Sequence, residues 1–108
     1  MADNIRPALY GARYEAVVAG KMFDEEKDKV TIAGKFCESG DILVEDAHLP
    51  AVAAGDIIAI PVSGAYCLAM ASNYNASFKP AVVMLKERQA RLIRRRETLE
   101  DLIIRDLD

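Results

Sequence analysis

The chain has 108 residues, 52% of them hydrophobic and 29% charged, with a formal net charge of −3. This length and composition predict a single globular domain over residues 1–108. The acidic balance gives no electrostatic reason to expect nucleic acid or an anionic membrane as a partner. Pro61 and Gly64 interrupt the longest uncharged stretch, which argues against a membrane span. Since no basic-then-apolar leader opens the chain, we expect a cytoplasmic protein.

Short runs rich in Val, Ile, Tyr and Ala alternate with Gly and Pro along most of the chain. Such punctuated runs are typical of an all-β sandwich or barrel. The charged segment Asp24–Asp28 predicts a hairpin loop between two of them. The predicted strands are Tyr14–Ala19, Lys29–Cys37, Asp56–Val62, Ala65–Ser72, Ala81–Lys86 and Gln89–Arg96.

The end of the chain has a different pattern. Thr98 is a helix-capping residue, and Asp101 follows it at the spacing of a capping box. Leu99, Ile103 and Leu107 then recur at helical spacing, so we expect a short amphipathic helix from Thr98 to about Asp106.

The densest cluster of polar residues is Cys37-Glu38-Ser39-Gly40-Asp41, at the end of a predicted strand. A thiol can donate a proton in acid/base catalysis, and a neighbouring carboxylate can hold a cationic group of a substrate. The alternative is a buried small side chain followed by a turn. Cys37 and Cys67 are too few for a disulfide scaffold and have no zinc-type spacing, which favours a reducing compartment and no metal site.

Two further clusters carry groups that bind ligands. Arg6 and Tyr10 flank a rigid turn, where the guanidinium could grip a carboxylate or cap loop carbonyls. Tyr66 precedes the Asn-rich run 71–75, which contains Tyr74. The two rings could contact a ligand or be half-buried strand aromatics. His48 is the only histidine, and without partners for a triad or a metal we predict a loop residue. No glycine-rich phosphate loop is present.

The segment Lys86–Arg96 is strongly basic. It holds six basic residues and one acidic residue, and therefore carries +5 while the rest of the chain carries −8. We interpret it as a solvated strand or a salt-bridged face rather than as a ligand site.

Several short motifs, in this order, resemble one family. Each motif alone is weak, but their joint order and spacing resemble the carboxy-terminal domain of the diaminopimelate decarboxylases, which are pyridoxal-phosphate enzymes of lysine biosynthesis. The resemblance extends from Ile5 to Thr98. The motifs are RPALYGA (6–12), CESGD (37–41), LP (49–50), GD (55–56), GAY (64–66) and MASNYN (70–75).

This resemblance implies an architecture. Such enzymes, like alanine racemase and ornithine decarboxylase, join an amino-terminal α/β barrel that holds pyridoxal 5'-phosphate to a carboxy-terminal Greek-key β-barrel-like domain. They are implied to work as head-to-tail homodimers with the active sites at the subunit interface. The fold class is therefore expected to be mainly β, with a Greek-key β-barrel-like domain and a short C-terminal helix.

The resemblance also implies roles for five residues in the decarboxylation of meso-diaminopimelate to L-lysine. Arg6 and Tyr10 would contact the substrate, and Glu38 would bind its distal ammonium. Cys37 would be the catalytic proton donor, offered across the dimer. Tyr66 would contact the cofactor. An arginine fork for the distal carboxylate and a glutamate for the distal ammonium suit a substrate with both groups at each end.

One departure from the family is large, because the Schiff-base lysine and the phosphate loop of the α/β barrel have no counterpart here. We therefore expect a carboxy-terminal piece of a longer enzyme, engineered or from a split gene, that is inactive alone and self-associates through its exposed apolar surface. The alternatives are a stand-alone β-barrel interaction module and a lysine-sensing module that would reuse Arg6 and Glu38.

Overall fold

The computed structural model describes residues 5–24 and 28–107, with the side chain of Tyr66 outside the description. Part of the predicted hairpin loop Asp24–Asp28 therefore lies outside the described residues. The α-helices are α1 (Pro7–Tyr10), α2 (Gly64–Met70) and α3 (Leu99–Ile103), and a 3₁₀ helix spans Tyr74–Ala76. The strands are β1 (Val17–Val18), β2 (Asp28–Ala33), β3 (Ile42–Leu49), β4 (Ile58–Ala59), β5 (Val82–Lys86) and β6 (Gln89–Arg94).

The described strands form three separate antiparallel pairs, so the chain is mainly β as predicted. β1 pairs with β4, β2 with β3, and β5 with β6. The prediction of a hairpin at Asp24–Asp28 is therefore wrong, because β1 and β2 on either side of it do not pair with each other. These two-stranded sheets do not close into a barrel within the described ranges. The Greek-key order stays a prediction.

Strand β3 was not predicted, and the prediction that His48 lies in a loop is wrong. His48 is a residue of β3 and pairs with Lys29 of β2. The alternation of apolar residues in β3 is broken where the register shifts, and Asp46 there has a left-handed φ of 55°. This irregularity leaves both Glu45 and Asp46 exposed, so the alternation of apolar and polar residues that predicts a strand is interrupted there.

The predicted strand Ala65–Ser72 is also wrong, because helix α2 occupies most of it. Its residues between Gly64 and Met70 include Ala, Leu and Met, which favour helix, and lack the β-branched residues that favour strands. Tyr66 and Tyr74 are therefore not strand aromatics. Tyr66 lies in α2, and Tyr74 begins the 3₁₀ helix.

The other predicted elements are confirmed with altered bounds. The runs around β1 and β4 meet through only two residue pairs, Val17 with Ala59 and Val18 with Ile58. Strand β2 ends at Ala33, short of Cys37. The carboxylate of Asp101 accepts a hydrogen bond from the N–H of Thr98 at 2.8 Å, which completes one half of the predicted capping box of α3.

The hydrophobic core is small and is centred on β3. Leu43 packs with Ile5 in one cluster, while Ala47 and Leu49 pack with Val18 of β1 in another. Strand β3 therefore joins the segment before α1 to the β1–β4 pair, and it holds the elements that carry the candidate site residues.

Much apolar surface stays exposed around this core. Phe23, Val62, Leu85 and Leu107 are examples of large apolar side chains left in solvent. The Cα radius of gyration is 15.8 Å, against roughly 13 Å for a compact domain of about 100 residues. None of the described helices has the length and apolar character needed to cross a bilayer.

The hairpin of β5 and β6 carries the basic segment, and every residue of β6 is exposed. The interpretation of this segment as a solvated strand is confirmed. Paired residues share a face of a two-stranded ribbon, so one face is apolar and the other largely polar. The apolar pairs are Val83 with Leu92 and Leu85 with Ala90, and the polar-side pairs are Met84 with Arg91 and Lys86 with Gln89.

Candidate active site

The loop 34–41 joins β2 to β3 and is closed by Asp41. The backbone N–H of Gly34 donates to the carbonyl of Asp41 at 2.8 Å, and the N–H of Phe36 donates to the Asp41 carboxylate at 2.8 Å. The N–H of Asp41 in turn donates to the carbonyl of Glu38 at 3.2 Å. Asp41 is only 5% exposed, so its carboxylate is an interior group of the loop.

Cys37 and Glu38 lie side by side on this loop, and both are exposed. The alternative prediction that Cys37 is a buried small side chain is therefore wrong, although the turn predicted after Cys37 is present. An exposed thiol next to an exposed carboxylate is available to a molecule that approaches the loop from outside. The arrangement can supply a proton from one side chain and a negative charge from its neighbour.

Arg6 and Tyr10 meet at one residue of α2. Nη2 of Arg6 donates a hydrogen bond to the carbonyl of Met70 at 3.0 Å, and the hydroxyl of Tyr10 lies 3.5 Å from Sδ of the same methionine. Arg6 therefore caps a carbonyl at the end of α2, as one of the two readings predicted. Helix α1 places the two side chains one turn apart, because Pro7 starts it and Gly11 ends it with a left-handed φ of 60°.

Tyr66 lies one helical turn before Met70 on α2. Its backbone is described, but its side chain falls outside the described part of the structure, so its predicted contact with a cofactor stays a prediction. The helix nevertheless connects the segment of Tyr66 to the residue that Arg6 and Tyr10 contact.

One ring contact and one cavity adjoin the loop 34–41. The ring of Phe36 meets the ring of Tyr74 edge to face, with centroids 5.8 Å apart. A cavity of about 650 Å³ lies between α1 and β3, and its lining includes Pro7, Ala8 and Ser39. Arg6, Tyr10, Cys37 and Glu38 are not among its lining residues. The motifs around α1, loop 34–41 and the 3₁₀ helix thus adjoin one another.

Sequence reasoning missed Glu97 as an organising residue of the segment after α2. One oxygen of its carboxylate accepts from Nδ2 of Asn73 at 2.6 Å and from the N–H of Lys79 at 2.8 Å. These hydrogen bonds, with that from the Lys79 N–H first, lower the pKa of Glu97 below its ordinary value. In the sequence, Glu97 is a single acidic residue after three arginines. That pattern predicts an ion pair with a neighbour and does not predict hydrogen bonds to the distant residues Asn73 and Lys79.

Five of the six lysines of the chain lie within the described residues. Four of them pair with carboxylates, and Lys35 lies with its Nζ 5.6 Å from the centroid of the Phe36 ring. Lys27 lies outside the described residues. No group of three or more potential metal ligands occurs in residues 5–24 and 28–107. The four ion pairs are Lys21–Asp56, Lys29–Asp46, Lys79–Glu97 and Lys86–Glu87.

Comparison with known proteins gives one consistent family. The family model "Pyridoxal-dependent decarboxylase, C-terminal sheet domain" matches residues 1–64. Diaminopimelate decarboxylase of Bacillus subtilis is 50% identical over 107 residues, which is 99% of this chain and 24% of the relative. The enzyme of the same name from Synechocystis is 50% identical over 106 residues, 98% of this chain and 23% of the relative.

Solved structures agree with these sequence matches. A diaminopimelate decarboxylase from M. jannaschii in complex with L-lysine is 42% identical with a TM-score of 0.90, covering 100% of this chain and 24% of that one. The Helicobacter pylori enzyme, also complexed with L-lysine, is 41% identical with a TM-score of 0.85, covering 96% and 25%. The chain thus spans about a quarter of the length of its relatives. It belongs to the family of pyridoxal-dependent decarboxylases, as their C-terminal sheet domain.

Proposed function

We propose that this chain is the carboxy-terminal part of a diaminopimelate decarboxylase, which removes one carboxylate of meso-diaminopimelate and yields L-lysine. The observation that carries the proposal is the 50% identity to enzymes of that name over 99% of the chain. Two similar solved structures hold L-lysine, which supports the same product. The exposure of Cys37 and Glu38 supports a role for these two residues at the active site.

We infer that Arg6, Tyr10 and Glu38 bind the substrate. The hydrogen bond to Met70 uses one of the five N–H donors of the Arg6 guanidinium, so the group can hold a carboxylate while it stays anchored. Tyr10 reaches the same end of α2 and would orient that carboxylate. Glu38 is exposed and would pair with the distal ammonium of the substrate.

Cys37 is the proposed catalytic proton donor. Loss of carbon dioxide breaks a carbon–carbon bond and leaves its electron pair with the substrate, and pyridoxal phosphate supplies the electron sink when it is bound. The S–H of Cys37 would then break, its proton would form the new C–H bond, and the sulfur would keep the negative charge. Because Cys37 is exposed, its thiolate can recover a proton from water once the product leaves.

We further propose that the rest of the enzyme is an amino-terminal α/β barrel that carries the cofactor lysine, with Tyr66 of this chain in contact with the cofactor. Four of the five described lysines pair with carboxylates of this chain, which supports this division of labour. The same proposal includes a cytoplasmic homodimer with the active site at the subunit interface, and a Greek-key β-barrel-like domain to which the three strand pairs belong.

The first test is the intact mass of the native gene product, captured from source cells with an antibody raised against this chain. The proposal expects a mass several times the 11.9 kDa of the chain. A mass equal to that of the chain would contradict it and direct the search to a separately encoded partner.

The second test uses the full-length enzyme and replaces Cys37 by Ser. We expect kcat for lysine formation to fall by about 10²–10⁴-fold, the usual contribution of a positioned acid, while the unfolding midpoint stays unchanged. Cys67→Ser is the matched control, because Cys67 is half-buried against the Ile5–Leu43 cluster and outside the loop. Unchanged turnover in Cys37→Ser would overturn the assignment of the donor.

A further inference from the structure

We propose that Asp41 is a positioning residue for Cys37 and Glu38, and that Gly34 is the partner that makes room for its carboxylate. This inference deepens the proposed function, since it rests on Cys37 as the proton donor. Asp41 itself lies inside the loop and is not offered as a group that touches the substrate.

The burial of Asp41 is the first observation. It is the one charged side chain among the described residues that is buried. A carboxylate removed from water is unfavourable unless hydrogen bonds compensate for the lost hydration. The N–H of Phe36 supplies one such bond at 2.8 Å. The loop backbone and the carboxylate therefore hold each other in place.

Gly34 provides the second, independent observation. A Cβ atom built on Gly34 would overlap the carboxylate of Asp41, whereas a Cβ on Gly40 of the same loop would meet nothing within 4 Å. The backbone of Gly34 does not require a left-handed φ, so space and not conformation demands glycine here. The carboxylate of Asp41 thus occupies the space that the Cβ atom of any other residue at position 34 would need.

These contacts bracket Cys37 on both sides. The backbone N–H of Phe36 donates to the carboxylate of Asp41, and the backbone N–H of Asp41 donates to the carbonyl of Glu38 at 3.2 Å. Between them, the N–H of Glu38 donates to the carbonyl of Phe36 at 2.9 Å. Because Cys37 is exposed, packing does not fix the direction of its side chain. The position of the thiol depends instead on the backbone of Phe36 and Glu38, which is bonded to Asp41.

Precise placement matters for a proton donor. The acid must come within hydrogen-bond distance of the carbon or heteroatom that it protonates. An error of about 1 Å in the position of a reacting group can cost roughly 10²-fold in rate. Releasing the carboxylate of Asp41 would let the segment 36–38 shift by such an amount without exposing the core at β3.

The test uses the full-length enzyme with Asp41→Ala, which removes the carboxylate, and Gly34→Ala, which displaces it. We expect each to lower kcat by about 10²-fold. The solvent deuterium isotope effect on kcat should rise, because a misplaced thiol makes proton transfer rate-limiting. Asp41→Asn keeps an oxygen that can accept from Phe36 and should recover most of the lost rate.

Matched controls separate positioning from folding. Gly40→Ala adds the same methyl group to the same loop where nothing obstructs it. Asp56→Ala removes another aspartate that accepts from a backbone N–H, that of Ala53 at 2.8 Å, outside the loop 34–41. Both controls should keep kcat and the isotope effect of the wild type.

The outcomes separate this proposal from the function on which it rests. If Cys37→Ser lowers kcat but Asp41→Ala and Gly34→Ala keep the wild-type rate and isotope effect, the positioning role is wrong and the donor stands. If Cys37→Ser is fully active, the donor assignment fails first. Loss of folding in both Asp41→Ala and Gly34→Ala would assign the pair a structural role and overturn the proposal.

Discussion

Phe36 and Tyr74 meet edge to face, with ring centroids 5.8 Å apart and ring planes inclined by 73°. Phe36 belongs to the loop that carries Cys37, and Tyr74 belongs to the 3₁₀ helix that follows α2. The contact therefore joins two motifs that are distant in the sequence. It is a side-chain contact between the loop 34–41 and the segment after α2.

A double-mutant cycle tests this contact. Phe36→Ala and Tyr74→Ala should show a coupling free energy of about 0.5–1.5 kcal/mol, the usual strength of an aromatic pair. Tyr74→Phe retains the ring and serves as the control, with little change expected. Urea unfolding of the four proteins measures the coupling. Strictly additive effects would mean that the rings do not interact.

Leu49 is the core residue with the clearest expected cost. Its side chain is 2% exposed and packs with Val18 and Ala47. Leu49→Ala should lower the free energy of unfolding by about 2–5 kcal/mol through lost burial and the cavity that remains. Leu107→Ala, at a position that is 95% exposed, is the control and should be close to neutral. Equal stability losses in the two variants would refute the assigned core.

Gly11 ends α1 with a left-handed φ of 60°. A side chain there should cost about 1–2 kcal/mol, because L-residues disfavour that conformation. Gly20→Ala is the matched control, since its backbone has no positive φ and its added methyl group meets nothing within 4 Å. Thermal unfolding compares the two. A neutral Gly11→Ala would show that α1 ends in a different conformation.

Acid should destabilise the fold through Glu97 and Asp101. The Lys79 N–H and the Asn73 amide lower the pKa of Glu97 below its ordinary 4.5. The Arg95 guanidinium, bound through Nη2 at 2.7 Å, and the Thr98 N–H lower the pKa of Asp101 below its ordinary 3.8. A lowered pKa stabilises the folded state above the ordinary value, and this stabilisation is lost as pH falls through the folded pKa.

The free energy of unfolding should therefore decline as pH falls below about 4.5, the ordinary pKa of Glu97. Glu97→Gln and Asp101→Asn should each make this decline shallower. Leu107→Ala, which removes no titratable group, should keep the wild-type slope. Urea unfolding at a series of pH values measures the slopes. Parallel slopes in all four proteins would contradict the two ion pairs and their hydrogen bonds.

Local sequence signals predicted the elements that depend on neighbours in the chain. The capping residues Thr98 and Asp101 indicate α3 directly, and the runs on either side of Glu87 and Arg88 indicate the strands β5 and β6. Both depend on contacts within a few residues, which periodicity and capping chemistry describe well.

Features that depend on the pairing of distant segments could not be predicted from the sequence. The bulge at Asp46 breaks the alternation of β3, so the strand and its pairing with β2 could not be predicted. Without that register nothing in the sequence brings Gly34 opposite Asp41. Family resemblance supplied roles for Cys37 and Glu38, but the buried carboxylate that closes their loop became visible only in the fold.

The three strand pairs have a consequence for assembly. In a two-stranded sheet each strand has one strand partner, so within the described residues the other edge of every strand has no further strand paired with it. A segment that adds to such an edge is held by main-chain hydrogen bonds, which any sequence without proline can supply. A polypeptide that adds to one of these edges can therefore vary widely in its side chains and still bind through its main chain, while the pattern of its apolar side chains sets the register.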